Sequence, residues 1–573
     1  MTIKFRLTLF IFSMVLFTDL SAQNVYFTGV GRALVASDRL VDNTNKASKL
    51  KGSGGYTLFD LGIYAKPNEV LRGGVILRAK SPFGGFYNDG NNLQIRQIQM
   101  EGLISKKVKY EIGDIYLSHT KYTLWADDNV DNQYESDLFA MRRNIVNYEN
   151  FYVGNAWRMQ GINAKTRLNF SKGVESLGIR VYGGRTVGTN YTTIPDRYFY
   201  GTRLDLIQSK YFRIGANVAG VTDIAGTVKA AAVSYKNVVY TTDLGFTVDN
   251  SEKFKFELDA ELGASNFQLN RAIDTTEYKF DDFFYDGGLK GTYKPLNIAL
   301  GAAYREVGFN FNSPMAQTRR MGSPTDIALT TFPTMNDGIS TRQISTYDMY
   351  SQETKLYNQS ISTTLMNYYV QYTMAEPYGR ATPNRKGFTF TADIGDKDKV
   401  LKANAELNLL SEVVSEGDSV TKQKRQFTLL RSGLVFNLHK LINFEKAIIL
   451  NAGYRTESSK RAGVNQVNLS SNLIDLGLDV EVFKNLHLLG GLKMFSVKGT
   501  EVQTGRDNLN QIVSFAGLNF DQKQNVIAAG LRYNYDANAY FSMHYHMVKY
   551  NDKQTELNNY DFNQMFFVFG LKF

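Results

Sequence analysis

A two-residue alternation runs through long stretches of this chain. In "KFKFELDAELGA", Lys253 to Ala264, the side chains of Phe254, Phe256, Leu258, Ala260 and Leu262 fall on one face of an extended backbone. Lys253, Lys255, Glu257, Asp259 and Glu261 fall on the other. Successive strand residues point to opposite faces, so this segment has one apolar and one charged side. "KVLKANAELNLL" sets Leu401, Ala403, Ala405, Leu407 and Leu409 against Lys402, Asn404, Glu406 and Asn408. "IDLGLDVEVFK", from Ile474, and "VIAAGLRYNY", from Val526, read the same way.

These segments run to ten or more residues. A soluble strand averages ~5–6 residues, whereas a tilted membrane-crossing strand needs ~9–11. The connections fall into two classes. Short ones include "AKPNE" around Pro67, "SKKVK" around Lys107, "YKPLN" around Pro295, "FKNLH" around Asn485 and "YDANA" around Ala537. Long polar ones cover 119–150, 308–384 and 413–423. Short turns at one end and long loops at the other describe an outer-membrane barrel with turns in the periplasm and loops outside. A soluble sandwich seldom sustains so many long amphipathic strands, and no fixed repeat period points to a β-helix. About two dozen candidate strands, including separate starts near 227 and 236 and near 508 and 523, predict an all-β transmembrane antiparallel barrel of roughly 20–26 strands. A barrel that wide cannot fill its interior with strand side chains, so water or a folded-in loop occupies it.

Both termini fit that reading. "MTIKFR" carries Lys4 and Arg6, "LTLFIFSMVLFT" is an apolar run from Leu7 to Thr18, and "DLSAQ" follows. This is the pattern of a signal peptide over 1–22, cleaved between Ala22 and Gln23, with the barrel over 23–573. The apolar run is too short to cross a bilayer, which takes ~20 residues. The chain closes on "MFFVFGLKF", where Met565, Phe567, Phe569, Leu571 and Phe573 share one face. This stretch resembles the C-terminal signal of outer-membrane barrels, which implies that Phe567, Phe569, Leu571 and Phe573 address the barrel-insertion machinery. The expected location is the outer membrane of a Gram-negative cell, with its lipid as a partner.

Composition closes off several classes. There is no cysteine, which excludes disulfides, thiolate metal sites and cysteine nucleophiles. The formal charge of +10 is dispersed without a basic run, so no nucleic-acid surface is expected. Two longer stretches, "YESDLFAMRRNIVNYENFYVGNAWRMQG" from Tyr134 and "EPYGRATPNRKG" from Glu376, resemble a family of large outer-membrane barrel proteins of Bacteroidota with no assigned biochemical role. The resemblance implies a fold and a location and brings no catalytic or binding residue.

Chemistry-bearing residues are sparse. Of the five histidines, His544 and His546 in "SMHYHMV" share a lumen-facing side. A metal would need further ligands from other strands, so polar lining is the plainer reading. "DDNVDN" places Asp127, Asn129 and Asp131 like the start of a calcium loop, but Asn132 and Leu138 break the pattern. His119 lies near Asp114 and Ser118 only in sequence, which says nothing about triad geometry. No enzyme, metal or cofactor is expected. The 308–384 segment carries Arg319, Arg320, Tyr368, Tyr369 and Tyr372. Folded inward, its arginines would form a constriction favouring anionic solutes; standing outside, its tyrosines would meet an envelope protein. The leading expectation is a passive, porin-like channel for small polar or anionic solutes, with Arg319, Arg320, Lys253, Lys255, Glu257, Asp259 and Glu261 lining it. The alternative is a non-conducting scaffold barrel that binds partner proteins. An energised receptor would need a plug domain ahead of the barrel, and strand-like sequence begins almost at Gln23.

Overall fold

The computed structural model describes residues 24–42, 49–83, 92–127, 132–149, 153–192, 194–224, 226–228, 233–249, 252–271, 277–318, 321–323, 340–342, 365, 368–395, 400–417, 422–506, 512–556 and 559–573. The expected signal peptide over 1–22, Arg319 and Arg320, and Asn129 and Asp131 of the acidic loop lie outside the described residues.

Alternation translates directly into wall. Strands of 10 to 23 residues pair antiparallel with their sequence neighbours into one 22-stranded sheet. The first strand, Val25–Asp42, pairs with the last, Tyr560–Lys572, over the register Val30↔Lys572 to Asp42↔Tyr560, which closes the barrel. Closure leaves no sheet edge to face hydrocarbon, where an unpaired backbone group costs several kcal/mol. In Phe254–Arg271 the outward residues Phe254, Phe256, Leu258 and Leu262 are exposed, as a lipid-facing side must be. Among the described residues no helix is long and apolar enough to cross a membrane.

Twenty-two strands fall within the expected range. The candidate start near 236 lies in the strand Val233–Val248 and that near 523 in Ile512–Asn534; the start near 227 falls in a turn ahead of the first, and that near 508 lies outside the described residues. The five short connections named above all join adjacent strands at one end of the barrel, and all three long ones lie at the other.

Phe573 seals the seam. Its carbonyl accepts from Gly29 N at 2.8 Å, its N–H donates to Gly29 O at 3.1 Å, and its ring stacks on Phe59 at 5.5 Å between centroids. Deleting Phe573 is therefore expected to lower the amount of assembled barrel in the membrane, read as heat-modifiable protein on a gel. Normal amounts would contradict a sealing role for this residue.

Candidate functional site

Two segments from the long-loop end turn inward and pack on the inner wall. The first contains a helix, α1, spanning Asp137–Glu149, where the sequence reading expected only a polar loop. Ser136 opens it, its carbonyl accepting from Phe139 N and Ala140 N, and Asp137 suits the positive end of the helix dipole. Leu138, Arg142, Ile145 and Glu149 recur at helical spacing and are all buried. Leu138 and Phe139 join Leu489, Val526 and Val548 of the wall, and Ile145 joins Leu34, Leu58 and Phe566.

The wall is cut away to receive this segment. Gly433, Gly453, Gly477, Gly491 and Gly530 lie on five consecutive strands, and a Cβ on any of them would meet the segment. At Gly477 it would stand 2.2 Å from Ser136 Cβ, and at Gly453 2.4 Å from Asn132 Nδ2. Backbone contact this close admits only glycine. Gly477→Val is expected to unseat residues 132–139 while leaving the strands paired. Trypsin should then cut after Arg142 or Arg143 in the folded variant and spare the wild type.

Ion pairs fix the far end of α1. A carboxylate at a helix C-terminus opposes the dipole, so Glu149 is held there by the wall rather than by the helix. Arg32 Nη1 lies 2.8 Å and Lys80 Nζ 3.1 Å from its carboxylate, and Tyr56 donates its hydroxyl. Arg78 Nη1 donates to Glu149 O at 3.0 Å and Arg96 Nη2 to Tyr148 O at 2.6 Å, capping carbonyls the helix leaves open. Tyr148 OH donates to Asp60 at 2.6 Å, and Asp60 also pairs with Arg78 and Arg96. At the near end Glu135 pairs with Lys493 and Arg143, and Asp137 with Arg532.

Burial pushes the Glu149 and Glu135 carboxyls up, but Lys80 and Arg32 around one, and Lys493 and Arg143 around the other, hold both below the ordinary value. A depressed folded-state pKa gives stability that is present above the unfolded value and lost as pH falls through the folded one. The unfolded value is about 4.3, so the α1 seat is expected to survive acidification from about pH 7 to about pH 5. Hydrogen exchange of α1 amides, corrected for intrinsic rate, checks this; marked loss of protection at the lower pH would contradict it.

The second segment is 308–384, of which 308–318 and 368–384 also lie inside. Residues 316–318 pair in parallel with 125–127, so the two segments form one layer. Met315 O accepts from Trp157 Nε1 at 2.7 Å and from Trp125 N at 2.9 Å. Asn312 N donates to Ser265 Oγ at 2.9 Å, and Tyr122 stacks on Phe284 at 3.8 Å. On the return path Glu376 pairs with Arg305, whose side chain is 0% exposed, and accepts from Asn408 Nδ2 at 2.9 Å. Glu457 accepts from Met374 N at 2.8 Å, and Arg380 pairs with Asp286 at 2.9 Å. Val370 and Met374 are buried, and Tyr368 and Tyr372 pack against their cluster, so these tyrosines do not stand outside.

Between this layer and the short-turn end the inner wall is charged and open to water. Arg203 bridges Asp205 at 2.6 Å and Asp243 at 3.0 Å; Arg213 bridges Asp243 at 3.3 Å and Asp259 at 2.9 Å. Asp259 and Arg213 are 64% and 53% exposed at their side chains. Lys255 and Glu257 pair at 2.6 Å on the same face, and Glu261 sits higher, against Thr120 of the layer. Lys253 precedes the strand, which begins at Phe254, and its carbonyl accepts from Lys294 N in the turn. His544 and His546 stack at 5.7 Å, fully buried behind Phe139, with His544 Nε2 2.6 Å from Ser542 Oγ. Among the described residues no group of three potential metal ligands occurs.

No family model matches the chain, and no curated protein matches it in sequence. Among solved structures, the unliganded ferric citrate transporter FecA is 9% identical over 95% of this chain and 78% of that one, with a TM-score of 0.47. The copper transporter OprC is 10% identical over 96% and 81%, with a TM-score of 0.45. OccK11 (OpdR) of Pseudomonas aeruginosa is 9% identical over 96% of both, with a TM-score of 0.35. Likenesses this distant carry no argument about what the chain does.

Proposed function

We propose that the chain is an outer-membrane transport barrel, a porin-like channel for small polar solutes whose path is set by its own inward-folded segments. An apolar outer face, strands long enough to cross and the N-terminal signal pattern support the location. Short turns then face the periplasm and long connections the exterior. The observation that carries the reading is the division of the lumen. A water-facing vestibule of both charge signs lies beneath a packed layer, and that layer is seated by ion pairs on the wall. Anion preference rests on Arg319 and Arg320.

Single-channel recording of the purified protein in planar bilayers tests the proposal. Discrete conductance steps are expected, with an anion-to-cation ratio that falls in Arg319→Ala/Arg320→Ala. An unchanged ratio removes the anion preference. Silence from the wild type and from variants with an unseated layer would leave a scaffold barrel instead.

A further inference from the structure

The outer face of the wall carries a groove of about 300 Å³, lined by Tyr304, Lys386, Leu409, Ser411, Gln426 and Thr428 among others. Their chain neighbours Arg305, Arg385, Leu410 and Phe427 are buried towards the lumen, so alternation sends these six side chains outward. Ser411 ends the strand Leu401–Ser411 and pairs with Gln426, which opens Gln426–Asn437. The long connection 413–423 joins these two ends, so the groove lies at the long-loop end of the barrel. Gly387 also lines it, with a φ of +142° and a position where a Cβ would stand 2.0 Å from Leu409 O. Glycine holds the backbone on a path that another residue would resist.

The ladders arrange the groove in rows. Lys386, Ser411, Gln426 and Lys460 form the row nearest the loops, each directly opposite the next. Three strand spacings, about 14 Å, separate the two lysines, with a hydroxyl and an amide between them. One step towards the short turns the row is Phe388, Leu409, Thr428 and Ser458, and the next begins with Phe390 and Leu407. Phe388, Phe390 and Leu409 are exposed, and Tyr304 packs edge-on against Phe388 at 5.0 Å. The surface is therefore cationic and polar at its top and apolar beneath.

No described carboxylate pairs with Lys386 or Lys460. Glu306, opposite Lys386, accepts instead from Tyr285 OH at 3.0 Å. On the inner wall, by contrast, Arg203, Arg213 and Lys255 all have carboxylate partners. The outer face stays basic farther round, where Lys498, Lys523 and Lys549 are exposed, with Asp521 opposite the first and Asp561 opposite the last. Cations without partners at the edge of an apolar surface favour an anion from the surroundings, and phosphate oxygens accept strongly from ammonium groups.

We infer that this groove binds the phosphorylated headgroup of an outer-leaflet glycolipid. Lys386 and Lys460 take the phosphate, Ser411, Gln426 and Thr428 meet sugar hydroxyls, and the acyl chains lie on Phe388, Phe390 and Leu409. The inference rests on the outer-membrane placement proposed above, with the long loops outside, and not on conductance.

Native mass spectrometry of the purified protein with monophosphoryl lipid A tests it. Lys386→Gln/Lys460→Gln is expected to bind this lipid about tenfold more weakly than the wild type. Leu409→Trp, which fills the groove and keeps both lysines, should weaken binding as well. Heat-modifiability on a gel confirms that each variant is a folded barrel. Wild-type affinity in either variant overturns the proposal. So does equal wild-type affinity for dephosphorylated lipid A, which would mean an apolar groove only, or for phosphatidylglycerol, which would mean any anionic lipid. Envelope fractionation checks the placement separately: recovery with the inner membrane would refute the placement, whereas the binding arms refute the groove.

Discussion

Glu149→Gln is expected to release α1 from the wall. Glutamine keeps the shape and one acceptor oxygen but leaves Arg32 and Lys80 without their counter-charge. Arg32 is 8% exposed at its side chain, so it cannot turn to water where it stands. Removing one partner of a buried pair costs about 3–5 kcal/mol. Removing an acid from a helix C-terminus returns about 0.3–1 kcal/mol, so the loss dominates. Hydrogen exchange of the α1 amides should then accelerate roughly a hundredfold or more, while amides of the strand ladders keep their protection. Unchanged α1 exchange would show that the apolar seat around Leu138 and Ile145 suffices by itself.

Glu376→Gln is expected to act on the other half of the layer. Arg305 has its counter-charge in Glu376 and a side chain that is 0% exposed. Glu376 also accepts from Asn408 and lies 3.5 Å from Arg431. Leaving a buried guanidinium without its paired carboxylate carries the same penalty of about 3–5 kcal/mol, and residues 372–376 are the segment that brings Glu376 to the wall. They should loosen from the wall without detaching outright, because the Glu457 bonds to Met374 N and Ala375 N, at about 1.5–3 kcal/mol each, are together comparable with that penalty. Protease access near Arg380 and Arg385 reads this loosening. Resistance equal to the wild type would mean that the segment is seated elsewhere.

The wall was legible in sequence because period-two alternation is local. Phe254 to Glu261 declares both its faces without reference to any other strand. Closure was legible at Phe573 for the same reason, since an apolar terminal face demands a receiver. The contents of the lumen were much less so. α1 carries Leu138, Met141, Ile145 and Tyr148 at helical spacing after Ser136, but Arg142, Arg143, Asn144 and Asn147 dilute the pattern into a polar loop. Its seat is built from glycines on five strands, and each glycine alone signals only a weak point in a strand. The ion pairs join residues up to 395 positions apart, as in Arg532 with Asp137, a relation no local pattern encodes. The outward groove was invisible too, because Lys386, Ser411, Gln426 and Lys460 stand on four strands and each alone reads as a polar residue near a strand end.

In the proposed channel the chain's own segments govern the lumen. Planar-bilayer conductance of the Glu149→Gln/Glu376→Gln protein against the wild type measures this directly. Small steps from the wild type and markedly larger ones from the double variant are the predicted result. A wild type that already conducts as widely as the double variant would contradict it.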